Sequence, residues 1–171
     1  MAESDDAVRT ALAALTTGIY VLTTRDGATR HGMSSSWVTQ VSGTPPLLVA
    51  AVDAGHASHA LIANSGRFAL NVVGDGARHL EDHFYSAAAR HPDNLATIAC
   101  EESPAGLPYL RDALASLECR VVARHPAGDH SLFLAEITDV VLRGRDRPLT
   151  SLDLPYVYVG TVIRRDPRPR T

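Results

Sequence analysis

Residues 31–46 read HGMSSSWVTQVSGTPP, a hydroxyl-rich run that ends at two prolines. Five hydroxyl side chains fall within nine positions, namely Ser34, Ser35, Ser36, Thr39 and Ser42. By residue type alone, a polar edge strand with hydroxyls facing water is the favoured interpretation. The alternative is a cradle of hydroxyl and N–H groups for a polar, ring-shaped ligand. The two prolines predict a loop after this run, because they cannot both lie inside a hydrogen-bonded ladder.

Extended segments flank the run on both sides. Upstream, residues 19–24 and 28–33 are joined by Asp26-Gly27, a dipeptide typical of hairpin turns. Downstream, residues 47–52 form an uninterrupted apolar segment, as expected of a strand buried on both faces. The alternation of apolar and polar residues predicts four more strands, at residues 67–73, 117–123, 132–141 and 156–162.

Short helices are predicted between these strands, at residues 4–15, 58–64 and 78–90, with Ser58 as the cap of the second. Residues 91–110 are predicted to be irregular. Strands follow strands near both ends of the chain, which argues against a parallel βαβ repeat. The pattern instead predicts a closed or partly closed antiparallel β-barrel with a few peripheral α-helices.

Length and composition set further limits. The 171 residues predict one domain over residues 1–171, with the barrel at about 15–163 and a flexible tail at 164–171. The acidic start lacks the apolar segment of a signal peptide, and no run approaches the ~20 apolar residues of a membrane helix. We therefore expect a cytoplasmic protein that does not bind membranes. The net charge of −3 argues against nucleic-acid binding, and the lack of lysine excludes Schiff-base chemistry.

Three histidine-containing segments are candidate binding sites. Residues 53–59 lead into a predicted helix, whose N-terminus suits a phosphate, with Ser58 and His59 as added donors. Plain helix capping explains the same segment equally well. His130 follows Gly128-Asp129 and lies either in an exposed turn or at the barrel mouth, where it would contact a reducing cofactor. His79 and His83 lack HExxH and a third ligand, so no metal site is predicted.

Several common catalytic patterns are missing. The sequence contains no GxGxxG dinucleotide fingerprint and no G-x-S-x-G nucleophile elbow, and no serine–histidine–acid order stands out. Cys100 and Cys119 match neither a zinc motif nor a thioredoxin motif. The residues themselves therefore predict a β-rich domain with a polar ligand site.

Four segments, in this order and spacing, resemble the flavin reductase-like family over residues 15–162. They are LTTGIYVLTT at 15–24, the run at 31–46, HALI at 59–62 with SGRFALNV at 65–72, and GDHSLF at 128–133. Members of this family are the small reductase components of two-component flavin monooxygenases. The resemblance implies an FMN-binding split barrel, which is a Greek-key β-barrel, and a homodimer.

The same resemblance implies cofactors and residue roles. NADH or NADPH would reduce FMN or FAD, and the diffusible reduced flavin would serve a partner flavin-dependent monooxygenase. Hydride would pass directly between the cofactors, so no catalytic residue is expected. The implied flavin-binding residues are Met33, Ser34, Ser35, Ser36, Trp37, Val38 and Thr39 at the isoalloxazine, and Ser42, Asp53, Ser58 and His59 at the phosphate. The implied nicotinamide-binding residues are His130 and Tyr158.

The sequence departs from the family pattern at two places. Gly43-Thr44 replaces the usual Leu-Asp before the prolines, and residues 156–161 read YVYVGT where the family has Tyr-x-x-Gly-Arg-Tyr. Residues 152–155 look like an insertion. Three alternatives stay open: a flavin-binding protein without turnover, a split-barrel oxidase acting on a small substrate such as a pyridoxine phosphate, and a non-enzymatic β-barrel interaction domain.

Overall fold

The computed structural model describes residues 2–165, and of residues 2–5, 87 and 88 it describes the backbone alone. The helices are α1 (Ala2–Ala13), α2 (Ala57–Ser65) and α3 (Arg78–Tyr85). The strands are β1 (Tyr20–Asp26), β2 (Thr29–Ser35), β3 (Val38–Gly43), β4 (Pro46–Asp53), β5 (Arg67–Val72), β6 (Cys100–Glu102), β7 (Pro108–Leu110), β8 (Ala115–Ala127), β9 (His130–Leu142), β10 (Tyr156–Tyr158) and β11 (Val162–Arg164). Short 3-10 turns lie at Asp75–Ala77, Ala87–Arg90 and Ser151–Asp153.

Seven strands form one antiparallel sheet in the order β2-β1-β5-β8-β9-β4-β3. The two edge strands, β2 and β3, are consecutive in the chain and are joined by Ser36 and Trp37 alone. Across this connection the carbonyl of Trp37 accepts a 2.9 Å hydrogen bond from the N–H of Ala51 in β4. Within residues 2–165 no ladder pairs β2 with β3, so the curled sheet is split at this seam. The predicted mainly β, split-barrel architecture with few helices is confirmed.

The β1–β2 hairpin is the most locally determined part of the sheet. Tyr20 pairs with Ser35 at one end of the hairpin, and Asp26 pairs with Thr29 at the other. Gly27 takes a φ of 58° in the turn, a conformation that glycine adopts without steric cost. The prediction from Asp26-Gly27 is therefore confirmed.

The described residues form three buried apolar clusters, of which two are large and the third joins Ala69, Leu107 and Tyr109. The barrel interior is filled from the sheet by side chains such as Leu22, Phe68 and Phe133, and from α2 by Ile62. A second core lies beneath α3, where Leu80 and Phe84 pack with residues that precede and begin β1. Burial of each large apolar side chain contributes roughly 1.5–3 kcal/mol, so α3 is held firmly on the barrel.

One glycine controls how closely α3 approaches the sheet. A Cβ on Gly32 would lie 2.4 Å from Cε1 of the Phe84 ring. Only a residue without a side chain therefore fits there, and the fit brings the neighbouring turn of α3 against β2.

Several predictions about strand burial and strand boundaries were wrong. Alternate residues of β4 are buried, and Leu47, Val49 and Ala51 are half-buried, because this strand turns one face into the barrel and the other outward. The predicted last strand is interrupted after Tyr158 by a turn in which Gly160 has a φ of 88°, which produces the β10–β11 hairpin. Residues 91–110, predicted to be irregular, contain the β6–β7 pair.

The ends of the chain also differ from expectation. The first helix ends at Ala13 and the third at Tyr85, earlier than predicted. Arg164 belongs to β11, and Arg165 donates hydrogen bonds to the carbonyls of Ala13 and Ser151. The remaining predicted tail, residues 166–171, lies outside the described residues. No helix in residues 2–165 combines the length and apolar character needed to cross a bilayer.

Candidate functional site

A cleft of about 240 Å³ opens where the sheet is split. Its walls come from the 33–37 segment, from the outward face of β4, from α3 and from β10, and His130 closes one side at the start of β9. The cleft therefore lies beside the Ser36–Trp37 connection, which joins the two edge strands β2 and β3.

The hydroxyl run supplies one wall. Met33, Ser34, Ser35, Ser36 and Trp37 all line the cleft. Ser34 and Ser35 are fixed by pairing with Val21 and Tyr20 of β1, so the backbone of this wall is held by the hairpin ladder. These hydroxyls therefore line the cleft, where residue type alone favoured open water and the family resemblance implied a flavin.

Glu81 is a site residue that the sequence analysis missed. Only 2 % of Glu81 is exposed, and it lines the cleft from α3. Its two carboxylate oxygens accept hydrogen bonds from the Ser34 hydroxyl at 2.5 Å and from the Tyr156 hydroxyl at 2.6 Å. The available signal was its spacing, four residues after Ala77 and three before Phe84, which places it on the apolar face of the helix.

Burial dominates the acid–base behaviour of this group. Burial raises the pKa of Glu81, and the negative charge of Asp82 acts in the same direction. The hydrogen bonds from Ser34 and Tyr156 oppose this shift without cancelling it. The pKa of Tyr156 is also raised, first by burial and then by the neighbouring Glu81 carboxylate.

Aromatic rings form the mouth of the cleft. The Trp37 ring lies 4.8 Å from the His130 ring and 5.3 Å from the Tyr158 ring, with interplanar angles of 36° and 44°. Elsewhere in the lining, Tyr85 stacks on Tyr156 at 4.2 Å and 12°. Such faces favour stacking with a planar ligand.

His130 is held by its neighbour in the sequence. Its Nδ1 lies 2.6 Å from a carboxylate oxygen of Asp129, and that hydrogen bond lowers the pKa of Asp129. An ionised carboxylate can only accept, so Nδ1 carries the proton and Nε2 is the remaining polar atom of the ring. Since His130 is only 7 % exposed, the alternative of a freely exposed turn histidine does not describe it.

The loop before α2 meets the cleft through Asp53 and His56. The Asp53 carboxylate accepts the N–H of Gly55 at 2.7 Å, and Nδ1 of His56 accepts the N–H of Ser58 at 3.2 Å. His56, in an extended conformation, is therefore the cap of α2, and the prediction of Ser58 as the cap was wrong. Two N–H groups near this helix start are already occupied by these side chains.

Ser58 and His59 lie outside the cleft. Ser58 is fully buried, and its hydroxyl lies 2.9 Å from Nδ1 of His31. His59 lies with its Nε2 2.9 Å from the Ser131 hydroxyl and its ring edge against Phe133. Burial, followed by the charge of His56, lowers the pKa of His31, so this pair is a neutral contact inside the fold.

The remaining predicted residues lie on the edge strand β3. Val38 packs against the barrel core, Thr39 is exposed, and Ser42 is half-buried. The structure thus brings eight predicted residues together at the cleft, namely Met33, Ser34, Ser35, Ser36, Trp37, Asp53, His130 and Tyr158. It leaves five outside, namely Val38, Thr39, Ser42, Ser58 and His59.

The donor set of the cleft fits a flavin ring. The Ser35 and Ser36 hydroxyls can donate to the ring's carbonyl and nitrogen acceptors, the Ser34 oxygen can accept from a ring N–H, and Trp37 offers a flat face to stack against it. No arginine in residues 2–165 lines the cleft, so its lining suits an uncharged ring and not a phosphate. The loop before α2 brings a helix start to the edge of the cleft through Asp53 and His56.

The chain matches the model of the flavin reductase like domain over residues 12–164. Among curated proteins, it is 32% identical over 136 residues to diflavin flavoprotein A 1 of Synechocystis sp., which covers 79% of this chain. The chain spans only 24% of that relative. It is 29% identical to the FMN reductase (NADH) RutF of Methylorubrum extorquens, covering 81% of this chain and 67% of the relative.

Among solved structures, the chain resembles a homolog of nitrilotriacetate monooxygenase component B from Mycobacterium thermoresistibile. The two superpose with a TM-score of 0.79 at 26% identity, over 99% of this chain and 91% of the other. The superposition therefore includes almost all of this chain.

Proposed function

Because the chain belongs to the flavin reductase-like family, we propose that it oxidises NADH or NADPH and reduces FMN or FAD. The observation that carries the proposal is the cleft itself, a hydroxyl wall beneath an aromatic mouth at the split of the sheet. RutF supports a flavin and a reduced nicotinamide as the reacting pair. The likeness to a monooxygenase component supports a flavin-dependent monooxygenase as the partner that receives the reduced flavin.

The protein's part in this reaction is binding and orientation. The bound cofactors supply the chemistry, in which a hydride moves from C4 of the nicotinamide to N5 of the flavin. Ser34, Ser35 and Ser36 hold the isoalloxazine edge, and Trp37 packs against it. Orientation and exclusion of water then accelerate the transfer, and no protein nucleophile is needed.

We assign the nicotinamide side of the cleft to His130 and Tyr158. Tyr158 lies 5.3 Å from Trp37, so the altered C-terminal segment still provides an aromatic wall. This contact supports turnover over simple flavin storage. We place the flavin phosphate at the loop from Asp53 to Ala57, and the contacts of Ser58 and His59 make them supports of that loop.

The proposal includes a homodimer in the cytoplasm. Exposed apolar side chains on α1, and the exposed edge strand β3 beside the cleft, support an interface with a second copy. A cytoplasmic location agrees with the use of NADH or NADPH as reductant. The single seven-stranded sheet supports treating residues 1–171 as one domain.

The decisive test is the oxidation of NADH by the purified protein, followed by absorbance with and without added FMN or FAD, and repeated with NADPH. We expect a rate that saturates in both the flavin and the nicotinamide. Tight flavin binding without oxidation would favour the storage protein, and oxidation of a small phosphorylated substrate by a retained flavin would favour the oxidase. Absence of any flavin binding would favour the non-enzymatic interaction domain.

A further inference from the structure

We propose that Glu81 makes the cleft discriminate between the two redox forms of the flavin, by placing a buried negative charge that weakens binding of the reduced form. This inference rests on the proposed function. It assigns to Glu81 the release of the product and not the transfer of the hydride.

The contacts of Glu81 leave its charge without a counter-ion. Both carboxylate oxygens accept hydrogen bonds from neutral hydroxyls, those of Ser34 on β2 and Tyr156 on β10. In the part of the chain that the structure describes, no arginine or histidine forms an ion pair with it. Ionised Glu81 therefore adds an uncompensated charge to a wall of the ligand site.

Ser34 links this charge to the ligand. It belongs to the hydroxyl wall proposed to hold the isoalloxazine, and its hydroxyl donates a hydrogen bond to Glu81. With that proton engaged, the Ser34 oxygen presents lone pairs to the cleft. Glu81 thus sets both the charge and the hydrogen-bonding direction of this wall.

The surrounding polar and titratable groups determine when Glu81 is charged. Asp82 and Tyr85 lie on its own helix, Tyr156 faces it from β10, and Ser34 faces it from β2. The other titratable side chains that line the cleft are Asp53, His56, His130 and Tyr158. Because burial raises its pKa, Glu81 loses its proton at a higher pH than an exposed glutamate does.

The chemistry of the reaction makes this charge selective. The oxidised isoalloxazine is uncharged. A hydride brings two electrons and one proton, so the product carries one negative charge until it takes a second proton from water. Two like charges in a cleft of low dielectric repel strongly, whereas the uncharged oxidised ring is affected little. Ionised Glu81 therefore favours binding of the oxidised flavin and release of the reduced flavin.

The test compares Glu81→Gln with the unchanged protein. Glutamine keeps the shape and can still hydrogen-bond to Ser34 and Tyr156, but it carries no charge. The dissociation constant of oxidised FMN is measured by fluorescence quenching, and that of reduced FMN by the same titration without oxygen, from acidic to alkaline pH. Where Glu81 of the unchanged protein is ionised, we expect the ratio of the reduced to the oxidised constant to be about tenfold lower in Glu81→Gln, and the variant to lose the part of the pH dependence that follows the ionisation of Glu81.

Asp82→Asn is the matched control. It removes the same charge one residue along α3, but from an exposed side chain that water and salt screen. We expect its ratio to equal that of the unchanged protein at pH values where Glu81 is ionised in both, whereas the midpoint of the pH dependence moves to lower pH because the charge of Asp82 no longer raises the pKa of Glu81. An equal ratio in Glu81→Gln would overturn the inference while leaving the reductase intact. If the unchanged protein binds neither form of FMN or FAD, the proposed function and this inference fall together.

Tyr156→Phe gives a second test if Glu81→Gln does not fold. It keeps the carboxylate and removes one donor that stabilises the anion, so the pKa of Glu81 should rise further. We expect the midpoint of the pH dependence of the ratio to move to higher pH. An unmoved or lowered midpoint would contradict a role for the Glu81 charge.

Discussion

Ser34 and Ser58 each form a hydrogen bond with a titratable side chain, but only Ser34 lines the cleft. Ser34 bonds to Glu81 at the wall of the cleft, whereas Ser58 bonds to His31 inside the fold. A serine in a pattern that suits a ligand can therefore serve the ligand or the protein, and only the three-dimensional neighbours decide. Sequence reasoning assigned both of them to the flavin.

For Ser58→Ala, we expect equal weakening of FMN and riboflavin binding, if any, and a loss of about 1–2 kcal/mol in the free energy of unfolding. The reason is that the change leaves His31 without its buried partner and removes nothing from the cleft. Chemical denaturation and fluorescence titration measure the two effects. Ser36→Ala, at the cleft, should instead weaken flavin binding and leave the free energy of unfolding unchanged. A selective loss of FMN binding in Ser58→Ala would restore its predicted role at the phosphate.

His130→Ala should raise the KM for NADH by about tenfold and change the dissociation constant of FMN much less. His130 lies at the mouth, beside Trp37, with its Nδ1 already bonded to Asp129. Steady-state kinetics and flavin titration separate the two quantities. His125→Ala, an exposed histidine on β8, is the control. An unchanged KM in His130→Ala would remove it from the nicotinamide site.

At the scale of elements, α3 carries Glu81 to the cleft because it can lie close on β2. That approach depends on Gly32, opposite the Phe84 ring. The helix itself was predicted from its apolar spacing, and the hairpin beneath it was predicted from the Asp26-Gly27 turn. Their contact was not predictable, because it joins residues about fifty positions apart through the absence of a side chain.

Gly32→Ala should therefore destabilise the protein by about 1–3 kcal/mol and weaken flavin binding as well, since the added methyl group displaces Phe84 and the turn that holds Glu81. Thermal unfolding and FMN titration measure these effects. Gly43→Ala is the matched control, because its Cβ would meet no atom within 4 Å. Equal stability of the two variants would show that α3 accommodates the methyl group without moving.

At the scale of the whole molecule, the sequence predicted what neighbouring residues determine and missed what distant segments build together. The hairpin at Asp26-Gly27 and the mainly β fold follow from local turn chemistry and alternation. The bonds from Ser34 and Tyr156 to Glu81 span 47 and 75 positions, and no local pattern encodes them. The family resemblance predicted the cleft walls at residues 33–37 and 130, yet it gave no sign of Glu81.

We expect the protein in solution to have twice the mass of one chain, because α1 exposes Val8 and Leu12 to solvent, and Leu15 just after the helix is exposed as well. Sedimentation equilibrium measures this mass. Leu12→Glu should shift the protein toward a single chain. Val122→Glu is the control, since Val122 is 45% exposed and Leu12 is 42% exposed. A single chain at all concentrations in the unchanged protein would contradict the dimer.

The position of the cleft at the split of the sheet has a consequence for synthesis. The outward wall on β4 is fixed by pairing with β9, which follows it by some eighty residues, and Tyr156 and Tyr158 follow later still. A nascent chain emerging from the ribosome contains Ser34, Ser35 and Ser36 early. At that stage His130, Tyr156 and Tyr158, which complete the lining of the cleft, have not yet been synthesised. The flavin can therefore bind only after almost the entire domain has been translated. A chain truncated before β10 would be released from the ribosome with an incomplete cleft.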